Sequence, residues 1–397
     1  MFQPADAFEF EYLGSDVIYG RGRVAELGDR LAAAGIDRAL VVCGSNVGAN
    51  EAVMGPVREG LGDRLAGVFD ETSSAKSIET AADAVEALHA ADADAIVGVG
   101  GGSSLNVARQ MSALAADGRS AEELRASAEA DGTVSTPDPD GPLTPVAVVP
   151  TTLTGADLSA GGSLVVLPRE ASPTGQPVVA SWTVPPTLVV EDPALFETTP
   201  HGPLAGSAMN GFNKGLETVY AAGGSPVTDA TATHGLRHLV AGLPGLDGED
   251  PTAVDRAVVG MILVQYESRI NVIHAFGQAL SRRYPVQQGV AHAVMAPHVL
   301  RFVLDNVDGR RRLLAEGLDV ETAGRSDAEI ADAVVAAVRE VRDSLGVPTR
   351  LRDLEGVSRD DLRPIAEYVA DHGVLAAAPP GLTVTVEDAE AALERAW

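Results

Sequence analysis

Gly98-Val99-Gly100-Gly101-Gly102-Ser103-Ser104-Leu105-Asn106-Val107-Ala108-Arg109 closes an apolar run that begins at Ala95 and passes directly into a segment of helical spacing. A strand turning through glycines into a helix is one β/α unit, and the same unit recurs nearby. Strands predicted over 39–43, 65–69 and 95–99 alternate with helices over 50–61, 77–90 and 103–116. Such alternation argues for a parallel sheet covered by helices, and sheets of this class bind ligands beyond the carboxyl ends of their strands. Glycines 100–102 then have two readings. They form a tight structural turn, or they let the backbone approach a pyrophosphate at a helix N-terminus, where free N–H groups and the positive dipole end point outward.

Working outward, 8–19 reads as a strand or hairpin and 23–34 as an amphipathic helix ending near Gly35. Residues 118–142, rich in Ala, Asp, Glu, Gly, Ser and Pro, read as an exposed excursion without chemistry. A buried strand over 144–149 runs into Pro150-Thr151-Thr152-Leu153-Thr154-Gly155-Ala156-Asp157-Leu158, whose hydroxyls either cap the next element or meet a ligand. Short strands follow over 165–167, 178–181 and 188–190. Beyond Pro200 the pattern is helical, with helices expected over 203–221, 229–241, 253–274, 291–303, 327–345, 359–369 and 386–395. The expected division is an α/β, Rossmann-like nucleotide-binding domain over 1–193 and an all-α catalytic domain over 194–397.

The 397 residues carry 56 acidic against 29 basic side chains, a formal charge of −27. A field of that sign repels nucleic acid and anionic membrane surfaces, so the expected partner is a small molecule. Acids spread along the whole chain, with all but two of the basic residues arginine, read as the composition of a salt-in halophile. Molar salt screens the self-repulsion within a few ångströms, so thermal melts should rise steeply from low to molar salt. A flat profile would give the acidic surface another cause. The single cysteine, Cys43, lies in an apolar run and reads as a buried structural thiol in a reducing cytoplasm. The N-terminus has no signal-peptide pattern, and no run reaches the roughly 18 apolar residues of a membrane helix.

The two lysines are Lys76 and Lys214. Lys214 sits in Ala208-Met209-Asn210-Gly211-Phe212-Asn213-Lys214-Gly215-Leu216-Glu217, where Asn210, Lys214 and Glu217 share one helix face. A surface ion pair between Lys214 and Glu217 is one reading; a cation kept for a site is the other.

These segments resemble the iron-containing alcohol dehydrogenase superfamily over essentially the whole chain. Gly100 to Arg109 resembles its phosphate-binding motif, with Asn106 where the family has Asp and Arg109 where it has Lys. Pro150-Thr151-Thr152 resembles the motif lining its cofactor and substrate site. The resemblance implies cofactor contacts from Gly100, Gly101, Gly102, Ser103, Asn106, Thr151, Thr152 and Thr154, and a homodimer or higher homo-oligomer. In the family an Asp and a His four apart hold a metal; here those places read Asn210 and Lys214. Asn271-Val272-Ile273-His274 resembles the third ligand's motif and keeps its histidine. Tyr284-Pro285-Val286-Gln287-Gln288-Gly289 resembles the fourth ligand's segment, with Gln288 in the ligand's place. His292 is similar to a histidine of the maleylacetate reductases, which also match 150–158 without a gap, so that metal-independent branch is the nearer relative.

No metal is expected, because a protonated lysine cannot coordinate and the amides lack the donor strength zinc or iron requires. Carbonyl reduction still needs positive charge near the developing alkoxide, and Lys214 is the candidate, with His274, Asn210, Gln288 and His292 completing the catalytic set. His274 has a second reading, a satisfied core histidine. His201, His234, His238 and His372 read as surface or packing residues and His298 as structural. The turn Gly44-Ser45-Asn46 carries no carboxylate to repel a 2′-phosphate, which favours NADP(H) over NAD(H). Arg282 or Arg283 could hold a substrate carboxylate, making a keto acid plausible chemistry. The expectation is an NAD(P)-dependent alcohol dehydrogenase or carbonyl reductase. Its rivals are a dehydroquinate-synthase-like cyclase or lyase, and a non-catalytic nucleotide-binding relative.

Overall fold

The computed structural model describes residues 14–139, 141–173, 175–248 and 250–397. The part of the first expected strand that falls on 8–13 lies outside them. The described residues divide into two compact units, one comprising 14–152 and 156–199, the other 153–155 and 200–397.

The first unit is α/β. Its strands are β1 (Asp16–Tyr19), β2 (Ala39–Gly44), β3 (Leu65–Thr72), β4 (Ala95–Gly100), β5 (Val146–Pro150) and β8 (Leu188–Glu191), with β6 (Leu164–Leu167) and β7 (Val178–Ala180) as a separate antiparallel pair. The six form one sheet in the order β1-β8-β5-β4-β2-β3, every neighbour parallel. Side-chain alternation explains why both faces are covered. Leu40, Val42, Ile96, Val146 and Val148 enter one core, while Val41, Cys43, Val97, Val99 and Val149 enter the other. Burial pushes the Cys43 thiol up to about 11, so it is inert packing.

Strand order reverses between β2 and β4. That is the switch point at which such sheets hold ligands, and the turns after these two strands are Gly44-Ser45-Asn46 and Gly100-Gly101-Gly102.

The expected excursion over 118–142 instead contains a helix, Ala121–Asp131, opened by a capping box in which Ser120 and Glu123 satisfy each other's backbone N–H groups. The predicted 23–34 helix begins as a 3-10 turn, Arg23–Glu26, before Leu27–Ala33.

The second unit is all helical. Its central helix, His201–Tyr220, is buried nearly all round, with Met209, Phe212, Leu216 and Glu217 each 0% exposed. Close approach explains its glycines: a Cβ on Gly211 would sit 2.0 Å from Met261 Sδ, and one on Gly215 would sit 2.8 Å from Leu236 Cδ2. The single helix expected over 253–274 is two helices, Ala253–Gln265 and Val272–Arg283, separated by a turn in which Glu267 adopts φ 51°. Among the described residues no helix is long and apolar enough to cross a membrane.

Candidate active site

The break after Gln265 builds the centre of the helical unit. A new helix N-terminus appears at Val272, capped by the Asn271 side chain, and its free N–H groups face the buried carboxylate of Glu217. Ile273 N–H donates to Glu217 Oε1 at 2.6 Å and His274 N–H to the same oxygen at 3.1 Å. The His274 ring presents Nδ1 to Glu217 Oε2, which orients the imidazole. Its Nε2 lies 3.1 Å from the Asn210 side-chain amide. The His292 ring packs against that of His274 at a tilt of 55°, 4.2 Å between ring centroids, with its Nε2 3.4 Å from the Gln288 amide nitrogen. A Cβ on Gly277 would come within 1.9 Å of the His292 ring, so that position must be glycine for the ring to lie where it does.

Lys214 reaches the same helix face from Asn210. Its Nζ donates to Thr154 O at 3.1 Å, Gly155 O at 3.0 Å and Gln265 Oε1 at 3.0 Å. It therefore ties the 153–155 segment to two helices. Gly155 makes this possible: φ is 63°, and a Cβ there would meet Gln265 Nε2 at 1.8 Å.

The surface ion pair between Lys214 and Glu217 does not hold as a reading of this face, because Glu217 is wholly buried and takes the His274 N–H groups. Burial pushes the Glu217 carboxyl up to about 8 while the amides of His274, Asn271 and Ile273, and then the Lys214 charge, pull it down. Burial holds His274 well below the usual imidazole range, and the Lys214 ammonium adds to it. His292 is lowered by burial, then by His274 and Lys214. The lysine's field thus reaches both rings, which are neutral at neutral pH.

Asn210, Lys214, His274, Gln288 and His292 all belong to this unit, as does Thr154 of the expected cofactor set, here the carbonyl partner of Lys214. Two participants escaped the sequence reading. Gln265 had no motif to mark it, and Glu217 was read only as a neighbour of Lys214 on one helix face, outside the catalytic set. Arg282 and Arg283 do not serve the cluster. Arg283 pairs with Asp361 and Arg282 with Tyr368. Arg282 is eight residues beyond His274 on the same helix, about 12 Å along its axis.

In the α/β unit, Gly100 adopts φ 123° and Gly101 caps the Gly102–Asp117 helix without a side chain over its first N–H groups. The buried Thr152 Oγ1 has no hydrogen-bond partner among the described residues, and the same side chain lies 3.3 Å from where a Gly101 Cβ would stand. An unpaired hydroxyl beside a bare glycine turn at a helix N-terminus fits a phosphate acceptor. Asn106 accepts from Arg109 Nη2 at 2.8 Å, so the two departures from the expected motif are bonded to each other. Ser45 and Asn46 are exposed after β2. A carboxylate is nevertheless near: Asp70 Oδ2, on β3, would stand 2.9 Å from a Cβ on Gly48, the last residue of the one-turn helix Ser45–Gly48 that follows β2. Sequence spacing could not have shown it, since the pairing of β2 with β3 brings it there.

Residues 14–193 match the family described as iron-containing alcohol dehydrogenase, and 204–397 match the Fe-containing alcohol dehydrogenase family, C-terminal. The chain belongs to the iron-containing alcohol dehydrogenase family. Within this family it is 27% identical to an NAD-dependent methanol dehydrogenase of Bacillus methanolicus, over 88% of this chain and 90% of that one. It is 25% identical to a maleylacetate reductase of Cupriavidus pinatubonensis, over 89% of this chain and 88% of that one. A crystal structure of a 1,3-propanediol oxidoreductase superposes with TM-score 0.86 at 23% identity, covering 98% of this chain and 100% of the other. Alcohol dehydrogenases and maleylacetate reductases thus stand at similar identity.

Proposed function

We propose that this chain is a nicotinamide-dependent oxidoreductase acting on a small carbonyl or alcohol without a resident divalent metal. The observation that carries the reading is the composition of one buried cluster. Lys214, Asn210 and Gln288 stand where a metal's donors would be needed, and Lys214 already imposes positive charge on His274 and His292. A dication placed there would find the His274 and His292 imidazoles but no third His, Cys or carboxylate among the described residues, and beside them an ammonium and neutral amides, a donor set short of what zinc and iron favour. The metal does not fit.

The cofactor supplies or accepts the hydride. The chain's own groups do the rest. The glycine turn, Thr151 and Thr152 hold the pyrophosphate; the Asn210 and Gln288 amides orient the substrate oxygen; Lys214 stabilises charge developing on it; and His274, held by Glu217, with His292 carries the proton. With Arg282 and Arg283 engaged elsewhere, nothing in this cluster selects an acidic substrate, so simple aldehydes, ketones and alcohols are the first substrates. The ungapped 150–158 motif and His292 support placement beside the maleylacetate reductases.

Gly44-Ser45-Asn46 supports NADP(H), and Asp70 beside Gly48 narrows the margin. Steady-state turnover of both cofactors over a panel of aldehydes, keto acids and alcohols at molar salt tests the reading. Turnover of NADP(H), the tighter-binding cofactor, is expected. Gly44→Asp should shift preference toward NAD(H) and Asp70→Asn toward NADP(H), each by about tenfold, one charge contact of about 1.4 kcal/mol. Tighter NAD(H) binding by the wild type would overturn the preference; binding without turnover of any panel member would make the chain a nucleotide-binding relative.

A further inference from the structure

His234 and His238, read from the sequence as surface or packing residues, lie one turn apart on the Pro226–Gly242 helix. They face each other. Their rings meet edge to face at 4.7 Å between centroids, and their Nε2 atoms are 3.3 Å apart. His234 is exposed and His238 partly so.

The opposite side of the helix is fixed. Leu236 and Leu239 are 0% exposed, and Gly235 packs so closely that a Cβ would stand 2.8 Å from Gly260 O. The two imidazoles therefore project from a rigid surface.

Two nitrogens bound to one tetrahedral ion at about 2.0–2.1 Å are separated by about 3.3 Å. The observed separation matches that span. Facing neutral rings can share one N–H···N bond at most, whereas a metal uses a lone pair from each. Burial, before any neighbouring charge, holds His238 below its ordinary value and favours the neutral, ligating form. The cations nearby are neutralised: Arg256 pairs with Asp250 at 2.7 Å and Arg237 with Asp319 at 3.0 Å. The surrounding surface belongs to a chain of formal charge −27, which concentrates cations.

We propose that His234 and His238 form a surface site for one divalent transition-metal ion, zinc, nickel or copper, with water completing its shell. Among the described residues no group of three or more His, Cys, Asp or Glu side chains is arranged around a metal, so the site is two-coordinate from protein and open. It includes none of Asn210, Lys214, Glu217, His274, Gln288 or His292. An ion there clamps one helical turn and stabilises the folded state by an amount that grows with the logarithm of its concentration over the dissociation constant.

The test is zinc titration of tag-free protein at neutral pH in molar potassium chloride, which screens diffuse attraction to the acidic surface. The wild type should take up one equivalent that both His234→Ala and His238→Ala lose. Its melting midpoint should rise with added zinc while the variants' stays flat, and hydride-transfer rates without zinc should be equal in all three. Absence of uptake by the wild type, or an equivalent that survives in either variant, would overturn the proposal.

Discussion

Lys214→Met is expected to lower turnover by about 10²–10³, the usual effect of removing one preorganised stabiliser of a developing oxyanion. Its Nζ has three named acceptors, Thr154 O, Gly155 O and Gln265 Oε1, so it acts as a fixed charge held in place. A fixed charge in partly dry surroundings acts through space far more strongly than in water, and here it already lowers both neighbouring imidazoles. Losing these partly buried bonds also costs the variant stability, at most about 1–3 kcal/mol for each acceptor left unpaired. Turnover must therefore be measured on protein shown to be folded at the assay temperature. Lys214→Arg should rescue poorly. The neighbouring glycines are crowded by Met261, Leu153 O, Leu236 and Val264, which leaves little room for a planar guanidinium. Near-wild-type turnover in folded Lys214→Met would reduce the residue to a tie between the 153–155 segment and its helices.

Glu217→Ala should be the more damaging substitution for the fold. The carboxyl is 0% exposed and receives the Ile273 and His274 N–H groups and the His274 ring. Removing it leaves the Ile273 and His274 N–H donors unpaired in a dry interior, about 1–3 kcal/mol each, a large part of the roughly 5–15 kcal/mol that holds a folded domain. Urea midpoints should fall accordingly. Glu217→Gln keeps the volume and one acceptor oxygen for the helix N-terminus, so it should retain more stability while losing the orientation of the His274 ring. Its signature is a lower turnover number at nearly unchanged midpoint. Unaltered stability in Glu217→Ala would mean that the Val272–Arg283 helix start does not depend on this carboxylate.

The parallel sheet and its glycine turn were legible in Gly98 to Arg109, because strand, glycines and helix periodicity are all local signals. The Ala121–Asp131 helix was also written locally, as Ser120 with Glu123, but its polar composition masked it. The helix break at 266–271 was not legible. Met261 to His274 contains neither proline nor glycine and keeps an apolar periodicity; what supports the break is the distant Glu217 carboxylate taking the new N–H groups. Glu217 itself misled for the complementary reason. A charged residue on a helix is solvated by default, and only the packing of the surrounding helices makes this one buried. His234 and His238 show the opposite case. Their i,i+4 spacing was visible, yet ring-to-ring approach depends on rotamers that sequence does not specify. Asn210, Lys214, His274, Gln288 and His292 were singled out by the family resemblance, and the structure brings them into one unit, while Gln265 and Asp70 enter through tertiary contacts alone.

Activity under chelation tests the central claim most directly. Carbonyl reduction by the reduced cofactor should be measured in the presence of excess chelator, after overnight treatment, in wild type and in His234→Ala so that any ion at the surface histidines is accounted for. Unchanged turnover in both, with no gain on adding iron or zinc, is the predicted result. Activity that disappears on chelation and returns with stoichiometric iron or zinc would contradict it, and would make Asn210, Lys214 and Gln288 neighbours of a metal rather than its replacement.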